Sequence, residues 1–198
     1  MQSTIAGTAA ALLALSSSVA AQTTPSAPFR LVISSSVKAV DGKVLSACHE
    51  GAAIEGLCIS DPAGSTFQFN TTTSQSEPNV GTITYKLDAG TVQPSYGLTF
   101  LYSPSSTLAH AQFGGIGQDQ QFGFDKDNKL YVPTYYDESV YPPKSLGSSK
   151  PEYHWYLCNY NYAGYGYQSL NWAVGDAKPK NPTCAKVDVL RRYSATYW

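Results

Sequence analysis

The sequence predicts an all-β fold, built as a single-domain β-sandwich or closed barrel of about nine to eleven short strands. Apolar and polar residues alternate along much of the chain, and no window of a dozen residues carries an apolar stripe with helical spacing. Turn-forming residues are frequent, with 16 Gly and 12 Pro. A β-trefoil is the alternative, because the pattern Phe67-x-Phe69 is echoed at Phe122-x-Phe124.

The first 21 residues are predicted to be a signal peptide. Residues 5–15 are uncharged and mostly apolar, but they are shorter than the roughly 20 residues that span a bilayer. Small residues follow at Val19-Ala20-Ala21, as signal peptidase requires. We therefore expect cleavage after residue 21, a flexible leader over residues 22–28, and one β domain over residues 29–198.

The charge balance disfavours several partners. The net charge is −1 and only 14% of the residues are charged, so there is no basic excess to neutralise phosphates. We expect no nucleic-acid partner, no cofactor, and no membrane association once the signal peptide is removed. Low charge combined with 15 Tyr suits an extracellular β-rich protein.

The strand predictions rest on alternation and on β-branched or aromatic residues. A hairpin turn is expected at residues 125–128, where Asp and Asn favour turns. The best helical fragment, residues 108–113, stops at a Gly pair, and two long connections at residues 103–120 and 133–151 could flank a binding face. The predicted strands cover residues 29–34, 66–70, 81–88, 98–102, 121–124, 129–132, 153–158, 169–174 and 184–190.

Four cysteines predict two disulfides, because an even number in a secreted chain is typically paired. Three pairings are possible, and we favour Cys48–Cys58 with Cys158–Cys184 because the partners are close in sequence. The chain-entropy model gives about 3 kcal/mol for the first bridge and about 3.5 kcal/mol for the second. No tight pair of cysteines suggests a metal site, so we expect no metal.

Searches for catalytic motifs find little. His49-Glu50 lacks the second His of a zinc-protease helix, and no G-x-S-x-G nucleophile motif is present. Asp125 and Asp127 have calcium-loop spacing without the later ligands, which favours a hairpin turn. An acid–base hydrolase would need Glu50 to meet two of the three histidines, His49, His110 and His154.

The most distinctive feature is a tyrosine-rich segment over residues 153–167. Tyr160 and Tyr162 would share one face of an extended strand, as would Tyr165 and Tyr167. Such rings stack on sugars or lie at protein interfaces, and they can equally fill a core. The candidate ligand-binding residues are Trp155, Asn159, Tyr160, Asn161, Tyr162, Tyr165 and Tyr167.

The sequence contains one intact acceptor for N-glycosylation. Asn70-Thr71-Thr72 matches the pattern, whereas Asn181 is followed by Pro. Because a polar run follows Asn70, we expect this residue to be exposed and to carry one glycan.

Several segments resemble a group of secreted fungal proteins of unknown function and, more distantly, the phialide-associated, IgE-binding-like cell-wall proteins. The resemblance implies secretion, a β fold, paired cysteines and cell-wall association, and it implies no enzyme activity and no catalytic residue. It is carried by residues 29–35 (FRLVISS), 48–53 (CHEGAA), 56–58 (GLC), 67–70 (FQFN), 155–158 (WYLC), 170–172 (LNW), Gly175 and 181–187 (NPTCAKV).

Together these observations favour a secreted fungal protein that is non-catalytic and binds a cell-wall polysaccharide or an extracellular protein. A small secreted hydrolase using His and Glu is one alternative. A host-directed secreted effector is another.

Overall fold

The structure is a computed structural model that describes residues 23–72, 77, 79–88, 90–114, 120–175 and 178–193. The predicted signal peptide, residues 1–21, lies outside the described residues. No helix occurs in the described part, and its strands confirm the all-β class.

The described residues form fifteen strands, more than the nine to eleven expected. The first eight are β1 (Thr23–Pro25), β2 (Phe29–Ser34), β3 (Ser46–Gly51), β4 (Ile54–Ile59), β5 (Gln68–Thr72), β6 (Val80–Lys86), β7 (Ser95–Tyr102) and β8 (Leu108–Gly114). The others are β9 (Phe122–Phe124), β10 (Leu130–Asp137), β11 (Lys144–Glu152), β12 (Trp155–Tyr162), β13 (Tyr165–Ala173), β14 (Ala185–Lys186) and β15 (Asp188–Tyr193).

Thirteen strands form one large curled antiparallel sheet, and β2 pairs with β15 in a second, two-stranded sheet. The main path runs β11-β10-β9-β6-β7-β8-β4-β13-β12-β14, with β1, β3 and β5 attached beside it. In the described part, β11 and β14 at its two ends do not pair with each other. The sheet is therefore curled but open, so the closed barrel is wrong, and neither a sandwich nor a trefoil is specifically formed.

One face of the large sheet packs against the two-stranded sheet to form the apolar core. Period-two alternation along β2 places Phe29, Leu31 and Ile33 inward, each no more than 1% exposed. Trp155 and Leu157 on β12 belong to the same core. Burying a large apolar side chain contributes about 1.5–3 kcal/mol, so this cluster supplies the main stabilisation of the fold.

Strands β4, β8 and β13 meet at a three-way junction, where each divides its pairing between the other two. Strand β8 pairs with β13 through residues 108–110 and with β4 through residues 112–114. Strand β4 pairs with β13 through Cys58 and Ile59. On each strand, the residue between the two pairings is fully buried in the apolar core, and these residues are Leu57, Ala111 and Leu170.

Several local predictions need correction. Residues 108–113, the best helical fragment, lie in strand β8, which pairs with β7, β13 and β4 and is buried on both faces. The long connection at residues 103–120 contains this strand, and residues 133–151 form most of the β10–β11 hairpin. The leader over residues 22–28 contains β1, which pairs with β5, so it belongs in part to the fold.

The β9–β10 hairpin and its turn are confirmed. Leu130 pairs with Phe124 across the turn, and Asn128 adopts a left-handed backbone with φ of 62°. The Asp125 carboxylate accepts hydrogen bonds from the backbone N–H groups of Asp127 and Lys129, both at 2.9 Å. That carboxylate closes the turn, as the hairpin interpretation requires.

Both predicted disulfides are confirmed, as Cys48–Cys58 and Cys158–Cys184. The first bridge joins the neighbouring strands β3 and β4. The second fixes the segment before β14 to β12. Two disulfides are compatible with an extracellular protein.

Candidate functional site

The tyrosine-rich segment forms the β12–β13 hairpin, which we call the tyrosine hairpin. Its turn consists of Ala163 and Gly164, with φ of 49° and 89°. Two consecutive residues with positive φ are typical of the type I′ turn, whose twist matches that of the strands. Tyr160 pairs with Tyr167 and Tyr162 with Tyr165, so all four rings project from the same face.

Each of the four tyrosines contacts one of two histidine residues, His49 or His110. The His110 ring stacks on Tyr160 with centroids 4.4 Å apart and on Tyr162 with centroids 6.2 Å apart. Tyr165 meets the His49 ring edge-on at 5.5 Å and is 37% exposed. The Tyr167 hydroxyl donates to the His49 carbonyl at 3.2 Å. One ring is therefore exposed, and the other three are half-buried.

The opposite face of the hairpin carries a groove of about 410 Å³, which we call the amide groove. Asn159 pairs with Gln168 and Asn161 with Gly166, so these four residues share that face. The groove is lined by Asn159, Tyr160, Asn161, Gly166, Tyr167 and Gln168.

The chemistry of the amide groove is neutral and suited to hydrogen bonding. Within the described part of the chain, the side-chain amides of Asn159, Asn161 and Gln168 make no hydrogen bond to another residue. Each amide offers two donor hydrogens and an acceptor oxygen. A Cβ at Gly166 would lie 3.7 Å from the Asn161 amide nitrogen, so the absent side chain leaves the floor open. The groove therefore presents hydrogen-bond donors and acceptors without a charged group.

Trp155 is a core residue and not a ligand-binding one. It is fully buried, packs edge-on against Trp172 with centroids 4.9 Å apart, and donates its indole N–H to the Leu130 carbonyl at 2.8 Å. Its place at the start of β12, inside the sheet, excludes contact with a ligand in the hairpin groove.

Glu50 and His110 are the two candidate acid–base residues that the structure brings together. His110 Nε2 lies 2.8 Å from Glu50 Oε2, and the side chains are 0% and 1% exposed. Strand β4 lies between β3 and β8, and Gly56 on β4 makes the contact possible. A Cβ at Gly56 would lie 2.2 Å from a Glu50 carboxylate oxygen, so the carboxylate crosses β4 only because that residue is Gly.

The other two histidines lie elsewhere. His49 lies 3.3 Å from Glu55, and its side chain is 59% exposed. His154 lies 3.4 Å from Glu152 and stacks on Trp172 with centroids 5.1 Å apart. The histidines therefore do not converge in one cleft.

Five buried polar side chains lie on the tyrosine-bearing face, around the three-way junction, and we call them the polar layer. Burial, and then the charge of Glu50, raise the pKa of the Tyr160 phenol above its usual value, and Tyr162 adds to this. Tyr160 therefore covers the layer in its neutral form. The layer consists of Glu50, His110, Gln112, Ser169 and Asn171.

The glycosylation acceptor Asn70 lies within β5, between β1 and β6, rather than after a strand. Its side chain is half-buried, and its amide nitrogen donates to the Thr84 hydroxyl at 3.1 Å. The polar run that follows lies largely outside the described residues. A glycan on Asn70 stays a prediction, and its attachment would compete with the hydrogen bond to Thr84.

Among the described residues, no group of three or more His, Cys, Asp or Glu side chains could hold a metal ion. Over the same ranges, no helix is long and apolar enough to cross a membrane.

Comparison with known proteins gives one family. The model of the family described as Domain of unknown function (DUF7907) matches residues 26–193, which include every strand except β1. The chain belongs to this family. No curated protein and no solved structure matches the chain. The family match covers the tyrosine hairpin, the amide groove and the polar layer together.

Sequence reasoning missed Gln168 and Gly166 in the groove, and Gln112, Ser169 and Asn171 in the polar layer. The groove residues have a sequence signal, because the short Ala-Gly turn fixes the register and places Gln168 opposite Asn159. The polar layer has no such signal, since it depends on how three distant strands meet.

Proposed function

We propose that the chain is a secreted, non-catalytic fungal protein that binds a neutral, hydroxyl-rich polymer in the amide groove. A polysaccharide of a cell wall or extracellular matrix is such a polymer. The proposal is carried by one observation, the alignment of three unengaged amides along a groove with a glycine floor. The rings of Tyr160 and Tyr167 project from the other face of the hairpin, so the groove offers amides and backbone to a ligand rather than an aromatic platform.

Charge supports a neutral ligand over an ionic one. The groove contains no charged side chain, so a strongly ionic ligand would lose its hydration without a compensating ion pair. Hydroxyl groups, in contrast, both donate and accept, and amides complement both functions. The two disulfides and the resemblance to secreted fungal proteins support the extracellular location.

The test is retention of the pure protein on insoluble polysaccharides, with melting temperature measured on each variant. Asn159→Ala combined with Asn161→Ala removes two amides, each worth about 1 kcal/mol as a hydrogen bond. We expect about thirtyfold weaker retention and little change in melting temperature, because both side chains are exposed. Gln93→Ala is the matched control, since it removes an exposed amide far away in sequence. Wild-type protein that is retained on no polysaccharide would overturn the proposal.

For the hydrolase alternative, the structure brings an acid–base pair together, but a substrate cannot reach it. Glu50 and His110 lie within hydrogen-bonding distance, as acid–base chemistry would require, yet both are fully buried beneath Tyr160. A substrate could reach them only after the tyrosine hairpin lifted. Glu50→Gln keeps the shape of the side chain, so loss of a hydrolytic activity in a stable Glu50→Gln variant would favour this alternative.

A further inference from the structure

The polar layer contains four buried atoms that have no hydrogen-bond partner in the described part of the chain. They are distributed over two strands, β8 and β13, whose residues 110 and 171 are directly paired. These atoms are His110 Nδ1, Gln112 Oε1, Ser169 Oγ and Asn171 Oδ1. Such groups are rare in native proteins, because a buried polar atom without a partner is unfavourable.

The three-way junction explains why they gather at one place. On each strand the residue at which the pairing changes projects into the apolar core, so its two neighbours project to the other face. His110 and Gln112 flank Ala111 on β8, and Ser169 and Asn171 flank Leu170 on β13. The four unpartnered atoms therefore surround the point where the strands diverge.

The strands also separate at this point. Gln112 lies beyond the point at which β8 leaves β13 to pair with β4, and Ser169 lies where β13 has already turned to β4. Gln112 and Ser169 are therefore not paired with each other, and β4 lies between them, with Gly56 opposite Gln112 and Cys58 opposite Ser169.

The hydrogen-bonding chemistry of the four atoms indicates the ligand. Both amide oxygens accept, the Ser169 hydroxyl donates or accepts, and His110 Nδ1 donates or accepts according to the protonation of the ring. Water offers two donors and two acceptors, so one or two molecules satisfy the four atoms in either state of the ring. His110, Ser169 and Asn171 are 0% exposed and Gln112 is 3% exposed, which seals the site from bulk solvent.

We propose that the junction of β4, β8 and β13 is a binding site for ordered water, enclosed beneath Tyr160 and Tyr162. The water links β8 to β13 and supports His110, on which the tyrosine rings stack. This site is independent of the proposed polysaccharide binding. A bound oxygen-seeking cation is the rival occupant, since three of the four atoms are oxygens.

A crystal structure at high resolution tests the site directly. We expect an oxygen peak within 3.2 Å of at least two of the four atoms, the range of a normal hydrogen bond. Crystals soaked in a thallium salt should show no anomalous peak there. A junction without an oxygen peak would overturn the proposal. An anomalous peak there would also overturn it, because it would show that a cation occupies the site instead of water.

A variant provides a second test in solution. If Ser169 Oγ binds the water, Ser169→Ala removes one of its partners and should lower the melting temperature by about 2–4 °C, as expected for one hydrogen bond in a domain of this size. If Ser169 Oγ has no partner, the same change removes an unsatisfied group and should raise the melting temperature. Ser95→Ala is the matched control, an exposed serine on strand β7. An increase for Ser169→Ala overturns the proposal.

Discussion

Removal of the Glu50 carboxylate should destabilise the protein severely. Glu50→Ala leaves His110 buried with neither ring nitrogen bonded to a described residue, and it opens a void above Gly56. Breaking a fully buried pair by removing one partner costs about 3–5 kcal/mol. For a domain of this size we expect the melting temperature to fall by about 6–20 °C.

Thermal and urea unfolding at neutral pH would measure this loss, with Glu138→Ala as the control. Glu138 is an exposed carboxylate between β10 and β11, so the control should lose less than about 1 kcal/mol. A Glu50→Ala variant whose free energy of unfolding stays within about 1 kcal/mol of wild type would show that the buried Glu50–His110 pair contributes little to stability.

Three further changes have expected outcomes. Trp155→Ala should lower the free energy of unfolding, measured in urea, by about 3–5 kcal/mol, because it leaves a cavity at a fully buried site and leaves the Leu130 carbonyl without its donor. Stability equal to that of wild type would contradict the place of Trp155 in the core. Gly56→Ala should lower the melting temperature more than Gly166→Ala does, because a Cβ at residue 56 overlaps the Glu50 carboxylate whereas a Cβ at residue 166 overlaps no neighbour. Equal effects of the two changes would argue against the contact between Glu50 and Gly56. Burial raises the pKa of Tyr160, so the folded state keeps that proton while the unfolded phenol ionises near pH 10. The resulting stability is present below about pH 10 and is lost as the pH rises through the folded-state pKa. The chain has 15 Tyr, so the tyrosinate absorbance of Tyr160 is taken as the difference between wild type and Tyr160→Phe. That difference should appear only with alkaline unfolding, and its full appearance in the folded protein would refute this.

Local features could be predicted from the sequence because their causes are local. The β9–β10 turn follows from Asp125 and Asn128, and the two disulfides join cysteines that are 10 and 26 residues apart. The all-β class follows from alternation along the strands. Strand β8 was not predicted, because it is buried on both faces and so shows no alternation. Strands β1, β3, β4 and β11 were not predicted either.

The polar layer could not be predicted, because it depends on contacts between distant strands. Glu50 and His110 are 60 residues apart, and they meet across an intervening strand only where Gly56 lacks a side chain. The exposure of the tyrosines depends on the same contacts. Their shared face was expected from spacing, whereas stacking of Tyr160 on a buried histidine requires the position of β8.

The most direct test of polysaccharide binding is a titration followed by NMR, with soluble oligosaccharides added to ¹⁵N-labelled protein. If the amide groove is the binding site, the side-chain amide signals of Asn159, Asn161 and Gln168 should shift and saturate together. The signal of the exposed amide of Gln93 should stay in place. Shifts confined to residues outside the hairpin, or no shifts with any oligosaccharide, would contradict the account.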